Sequence, residues 1–205
     1  VFLGLMLIAP FALGQAKDFP NRPVKLISMT TPGTTSDQTA RLLGEQLAGI
    51  FGQPFIVENR PGADGVIGVM TVKNAPADGY TILVASNSPL SVNPVVVKDL
   101  PYDPVKELKP VCGLLRIMNV FVVAADSKLN TLADLVDTAK KAKQALNVGT
   151  SFAGYRLDVK WFAGLAGVSF NDIPYKGTAQ VVTDVMGRQL DFGYVDRSLV
   201  GPLLK

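Results

Sequence analysis

From Val24 onward, short apolar runs alternate with longer stretches whose apolar residues recur at helical spacing. Val24 to Met29 is apolar and β-compatible, which predicts a first strand. Ser36 and Asp37 are good helix-capping types. They precede a run with Ala40, Leu43, Leu47 and Ile50 on one helical face, which Gly52 and Pro54 end. Phe55 to Val57 predicts the second strand, and Asn59-Arg60-Pro61-Gly62 is loop chemistry. Asp64 is placed to cap a short helix running through Lys73. Asp78-Gly79 then turns into a third strand, Tyr80 to Ala85. A βαβαβ order of this kind implies a parallel sheet with helical crossovers.

The stretch Ser86 to Pro110 reads as loop, punctuated by Pro89, Pro94, Pro101, Pro104 and Pro110. A second unit follows. Val120 to Ala124 predicts a strand, and Thr131-x-x-Asp134 is a capping box opening a helix with Leu132, Leu135, Val136 and Ala139 on one face. Leu146 to Val148 predicts a strand and Tyr155 to Leu165 a helix, in which Trp161 and Phe162 read as core. Ile173 marks a strand, Ala179 to Met186 a helix, and Leu190 to Val195 a last strand. The fold class is therefore α/β, in two lobes joined near Pro110 to Met118.

Ahead of this pattern, Val1 to Leu13 is uncharged and mostly apolar, and Gly14-Gln15-Ala16 supplies small residues before Lys17. That is the hydrophobic region and cleavage site of a secretory signal peptide, shorter than the ~20 apolar residues of a spanning helix. Residues 1–16 are read as a signal-peptide remnant, and the mature chain as exported. Composition narrows the chemistry further. Twenty Lys plus Arg against 17 Asp plus Glu give +3, too mild and too scattered for a nucleic-acid face. The chain has no histidine, which excludes Ser-His-Asp and Cys-His triads and His-ligated zinc or haem. A lone Cys112 excludes an internal disulfide, a CxxC pair and a Cys-rich metal site.

In open parallel sheets, ligands gather at the carboxyl ends of strands, where loops run into helix N-termini. Four such loops here are rich in hydroxyls and glycines: Thr30 to Ser36, Ser86-Asn87-Ser88, Gly149 to Gly154, and Tyr175-Lys176-Gly177-Thr178. Hydroxyls and free N–H groups at a positive helix end suit a carboxylate. Ser, Thr and Gly also make ordinary caps and turns, but four such loops on one side of two lobes describe a cleft. Enzyme motifs fail. Gly62, Gly65 and Gly68 are spaced GxxGxxG, and Gly149 to Gly154 is followed by Tyr155-Arg156 where a P-loop has Lys and Ser or Thr. Asp126, Asp134, Asp137, Asp158 and Asp172 are scattered and read as surface caps.

Several segments carry a family resemblance. Phe19-Pro20-Asn21-Arg22-Pro23-Val24 leads in, followed by Pro32-Gly33-x-x-x-Asp37-x-x-Ala40-Arg41 and Gly52-Gln53-Pro54-Phe55-Ile56-Val57-Glu58-Asn59-Arg60-Pro61-Gly62-Ala63. Ala77-Asp78-Gly79-Tyr80-Thr81, Leu100-Pro101-Tyr102-Asp103-Pro104 and Pro174-Tyr175-Lys176-Gly177 continue the series. From Phe19 to its end the chain resembles the Bug family, periplasmic solute receptors of tripartite tricarboxylate transporters. The resemblance implies a two-lobed, Venus-flytrap binding protein that closes over a small carboxylate and does not catalyse. It further implies no cofactor, a periplasmic location and membrane transporter subunits as partners. Residues 17–115 would form the first lobe and 116–205 the second, with the family's return segment to the first lobe absent. Without that segment the first sheet is expected to lack cover on one face. The chain would then be a truncated, marginally stable receptor, a non-binding remnant being the alternative.

The chain departs from the family pattern in both lobes. Thr30, Thr31 and Thr34 replace an aromatic, a proline and a glycine of the usual first loop. The second-lobe loop is shorter, and Arg156 stands where a histidine is common. A more polar and cationic cleft is expected, favouring a di- or tricarboxylate over an aromatic acid. The expected site is Thr30, Thr31, Gly33, Thr34 and Ser86 from the first lobe with Thr150, Ser151 and Asp196 from the second. N–H groups near Gly33 and Ser151 would contact the anion. A Rossmann-like enzyme and an exported structural domain without a cleft are the rival classes.

Overall fold

The computed structural model describes residues 19–203, so the segment read as a signal peptide lies outside the described residues. The first sheet contains β1 (Val24–Ser28), β2 (Phe55–Asn59) and β3 (Thr81–Val84), all parallel in the order β2-β1-β3. Helix α1 (Thr35–Phe51) connects the first two strands, and α2 (Val66–Lys73) the second and third. The α1 cap is Thr34, whose side chain accepts from the Asp37 N–H, and not Ser36 or Asp37 as the pattern suggested. The helix ends at Gly52 in the left-handed conformation, φ 67°.

Most of the central strand is buried, so the face expected to lack cover is closed over Ile27 and Met29 and open at Lys25 and Ile56. Leu26 packs with Ala40 of α1 and with Val84. On the opposite face α2 lies so close that a Cβ on Gly68 would stand 2.9 Å from Met29 Cβ. Val24, Leu26, Ile27 and Met29 are all sealed from solvent, while Ile56 on the edge strand is half exposed. A second expectation fails. Asp64 does not cap α2, whose N-cap is Gly65 with no side-chain bond.

The proline-rich stretch is more ordered than a loop. A π-type turn (Ser88–Val92) runs into α3 (Asn93–Val96), and α4 (Pro104–Glu107) is capped by Asp103. The buried Tyr102 hydroxyl donates to the Pro89 carbonyl (2.8 Å), tying the two pieces together.

The second sheet follows a chain segment without regular structure, residues 108–118. It holds β4 (Asn119–Val122), β5 (Leu146–Thr150), β6 (Phe170–Pro174) and β7 (Phe192–Asp196) in the order β4-β7-β5-β6. All its pairings are parallel except β4 with β7, which is antiparallel and which periodicity could not reveal. Its helices are α5 (Leu132–Lys141), α6 (Ala153–Ala166), α7 (Thr178–Met186) and the short α8 (Arg197–Val200). Thr131 and Asp134 form the expected reciprocal capping box of α5. Val148, Val159, Leu135 and Phe192 make one core, and Val181, Val185, Leu190, Val195 and Val200 another. Phe162 packs against the first of these, but Trp161 is 70% exposed, because α6 turns Val159 and Ala163 inward instead. No helix among the described residues is long and apolar enough to cross a membrane.

Candidate functional site

The loop after β1 is organised by one carboxylate. Asp37 accepts from the Gly33 N–H (2.9 Å), from Asn59 Nδ2 (2.7 Å) and from Arg41 Nε (3.1 Å). Burial pushes its carboxyl up, but Arg41, the Gly33 N–H and Asn59 outweigh that and hold its pKa below the usual aspartate value. Thr30 Oγ1 lies 2.6 Å from Thr34 Oγ1 and 3.1 Å from Ser28 Oγ, a buried hydroxyl chain at the strand end. Gly33 takes φ 84°, which an L side chain rarely adopts. After β3, Ser86 Oγ lies 4.0 Å from Met29 Sδ, and Ser88 is buried.

In the second lobe, Thr150 Oγ1 donates to Asp172 Oδ1 (2.5 Å), and Ser151 Oγ pairs with Thr178 Oγ1 (2.9 Å). Asp196 is buried, caps α8 and accepts from the N–H and hydroxyl of Ser198 (2.9 and 2.5 Å). The neighbouring Tyr155 hydroxyl is held neutral, its pKa raised by burial and then by the charge of Asp196.

The two sets of loops meet. Helix α6 has no side-chain cap of its own, since Phe152 stands at its N-cap. Two of its first-turn donors are taken up from the other lobe. Ser88 Oγ accepts from the Gly154 N–H (3.1 Å), and Asp64 Oδ1 accepts from the Ala153 N–H (3.1 Å). Arg156 Nη2 donates to Asp64 Oδ2 at 2.5 Å. Thr35 Oγ1 and Ser198 Oγ lie 2.6 Å apart. Thr31 comes so near the fourth loop that a Cβ on Gly177 would stand 3.0 Å from its hydroxyl. All four loops singled out by sequence thus converge on one interlobe face.

Within that face the expected residues divide. Thr30, Thr34, Thr150, Ser151 and Asp196 are buried and bonded inside their own lobes. Thr31 and Ser86 are half-buried and Gly33 is exposed, although the Gly33 N–H is engaged by Asp37 and is no free anion donor. Arg156 is not the free cation expected from sequence, because Asp64 neutralises it. Asp64, Thr35 and Ser198 were missed as interlobe residues. Ser88 was visible in the hydroxyl run, but nothing local marks Asp64 as the partner of a helix 89 residues away. Two shallow depressions lie elsewhere, one beside Leu90 and Tyr102 and one beside Arg41 and Phe55.

Two α/β lobes that face each other through their strand-end loops define the class of two-lobed periplasmic binding proteins. The model of the tripartite tricarboxylate transporter family receptor matches residues 39–205, and the chain belongs to that family. A UPF0065 protein of Bordetella bronchiseptica is 35% identical over 191 residues, covering 90% of this chain and 57% of the relative. Protein BugT of Bordetella pertussis is 36% identical over 178 residues, 84% of this chain and 54% of BugT. A solved R. palustris protein with adipate superposes with a TM-score of 0.86 at 31% identity, covering 91% of this chain and 63% of that one. The chain therefore spans little more than half the length of the curated relatives it matches. The family is one of solute receptors and not of enzymes, which excludes the Rossmann-like alternative.

Proposed function

We propose that the protein is an extracytoplasmic receptor that holds a small carboxylate between its lobes and delivers it to membrane subunits of a tripartite tricarboxylate transporter. The observation that carries this reading is the convergence of four hydroxyl- and glycine-rich strand-end loops from two separate sheets. Thr31, Gly33 and Ser86 form the accessible part of the contact set, and Thr30, Thr34, Thr150, Ser151 and Asp196 shape it from behind. Hydroxyls and bridging waters complete the shell of a polar anion. Adipate in the R. palustris relative makes an aliphatic dicarboxylate the first class to try. With Arg156 already paired, the preference for a polar diacid over an aromatic acid rests on the hydroxyls alone.

Thermal unfolding of the intact protein in the presence of candidate solutes tests the proposal. A ligand at about a hundred times its Kd stabilises the bound state by about 2.7 kcal/mol, a readily measured shift. The reading expects C4–C6 dicarboxylates to raise the transition and sugars and amines to leave it unmoved. A shift produced by sugars or amines alone would overturn it.

A further inference from the structure

Asp64 is unusual for a surface turn. It follows Ala63 (φ 46°) and itself adopts φ 52°, ψ 35°, two successive non-glycine residues in the left-handed region. Asp tolerates that conformation better than most residues, yet it is strained and persists only where neighbours enforce it. Here they do. Fully buried Asn93 donates its amide to the Asp64 carbonyl at 3.0 Å, fixing the turn. So held, the carboxylate points away from α2, which it could have capped, and into the opposite lobe. There each oxygen has its own donor: the Ala153 N–H for Oδ1 and the Arg156 guanidinium for Oδ2.

We propose that Asp64 is an internal carboxylate latch. From the first lobe it occupies the first turn of α6 in the second, and an external carboxylate gains Arg156 and the Ala153 N–H only by displacing it. The inference rests on the receptor reading for its second half but not for its first. The chemistry at this spot is that of carboxylate recognition, a charged donor beside a backbone N–H at a positive helix end. With Asp64 in place, that end of the cleft is neutral. A solute's acid group is then directed to the hydroxyl loops, and Asp64 becomes the residue that sets how many acid groups the cleft rewards.

Asp64→Gly is the informative variant, because glycine adopts φ 52° freely and removes the carboxylate without stressing the turn. Asp64→Asn keeps an acceptor for the Ala153 N–H but loses the charge. In a Cys112→Ser background, spin labels at Glu45→Cys on α1 and Lys160→Cys on α6 report the distance between lobes; both positions are exposed. The latch predicts a longer or broader distance distribution in Asp64→Gly without any solute, and again in Asp64→Gly/Ser88→Ala. It also predicts that adipate binds Asp64→Gly about tenfold more tightly, while the monoacid hexanoate changes less. Asp64→Asn should fall between the wild type and Asp64→Gly on both measures. Unchanged distances would refute the latch, and unchanged or weaker adipate binding would refute the competition. If the wild type and variants bind neither acid, the receptor reading fails, and the label distances still decide the latch.

Discussion

At the scale of single residues, the first loop depends on the charge of Asp37. Its pKa is depressed in the folded protein by Arg41, the Gly33 N–H and Asn59, which overcome the opposing effect of burial. A depressed carboxyl contributes stability that is present above its unfolded value, near 3.8, and lost as pH falls through the folded value. Asp37→Asn should therefore be less stable than the wild type at pH 7, with the gap narrowing steadily below pH 3.8. Denaturant melts of both proteins across that range check it; a gap that stays constant to pH 2 would show that the charge does not matter. Asp37 was read from sequence as a candidate cap and is instead the hub behind one, because Thr34 at the strand exit takes the capping role. Asp64 was misread for a longer-range reason. Its sequence neighbours suit an N-cap, and only the tertiary fold shows that the helix it caps belongs to the other lobe.

At the scale of elements, local chemistry was legible wherever both partners lie within one turn. The box of Thr131 and Asp134 is the clearest case: Thr131 Oγ1 accepts from the Asp134 N–H at 3.1 Å, and Asp134 accepts from the Thr131 N–H at 2.9 Å. Thr131→Ala should cost about 1 kcal/mol of stability, read as a lowered denaturation midpoint with an unchanged slope. No loss would mean that α5 is held by Leu135 and its packing alone. The orientation of α6 was less legible. Apolar residues cover much of its circumference, so periodicity could not choose between Trp161 and Val159 for the buried face, and the sheet beneath made the choice. The antiparallel β4 escaped for a similar reason: strand direction is set by where the chain crosses between lobes, not by the alternation of side chains.

At the scale of the whole molecule, the proposed function depends on how two sheets present their loops to each other. Gly154 stands at a tight interlobe contact, where a Cβ would lie 2.9 Å from Ser88 Oγ. Gly154→Ala should act in two directions at once. Alanine favours the helix by about 1 kcal/mol, while its methyl group wedges the lobes apart. The expected outcome is an unfolding transition no lower than that of the wild type, together with carboxylate binding weakened about tenfold. Weakened binding with an equally weakened fold would show only general damage. Binding as tight as that of the wild type would show that the lobes need not close here. Each of the four loops announces itself locally by its hydroxyls and glycines. Which loops would touch, and that α6 would be capped in trans, depends on packing between lobes and left no mark in the sequence.

The central claim is that the interlobe face recognises carboxylate groups. Calorimetric titration of the intact protein with adipate and with its uncharged diamide, adipamide, tests this most directly, since the two share length and shape and differ in charge. The account predicts a saturable heat of binding for adipate and at least a hundredfold weaker binding, or none, for adipamide. Equal affinity for the two would contradict it.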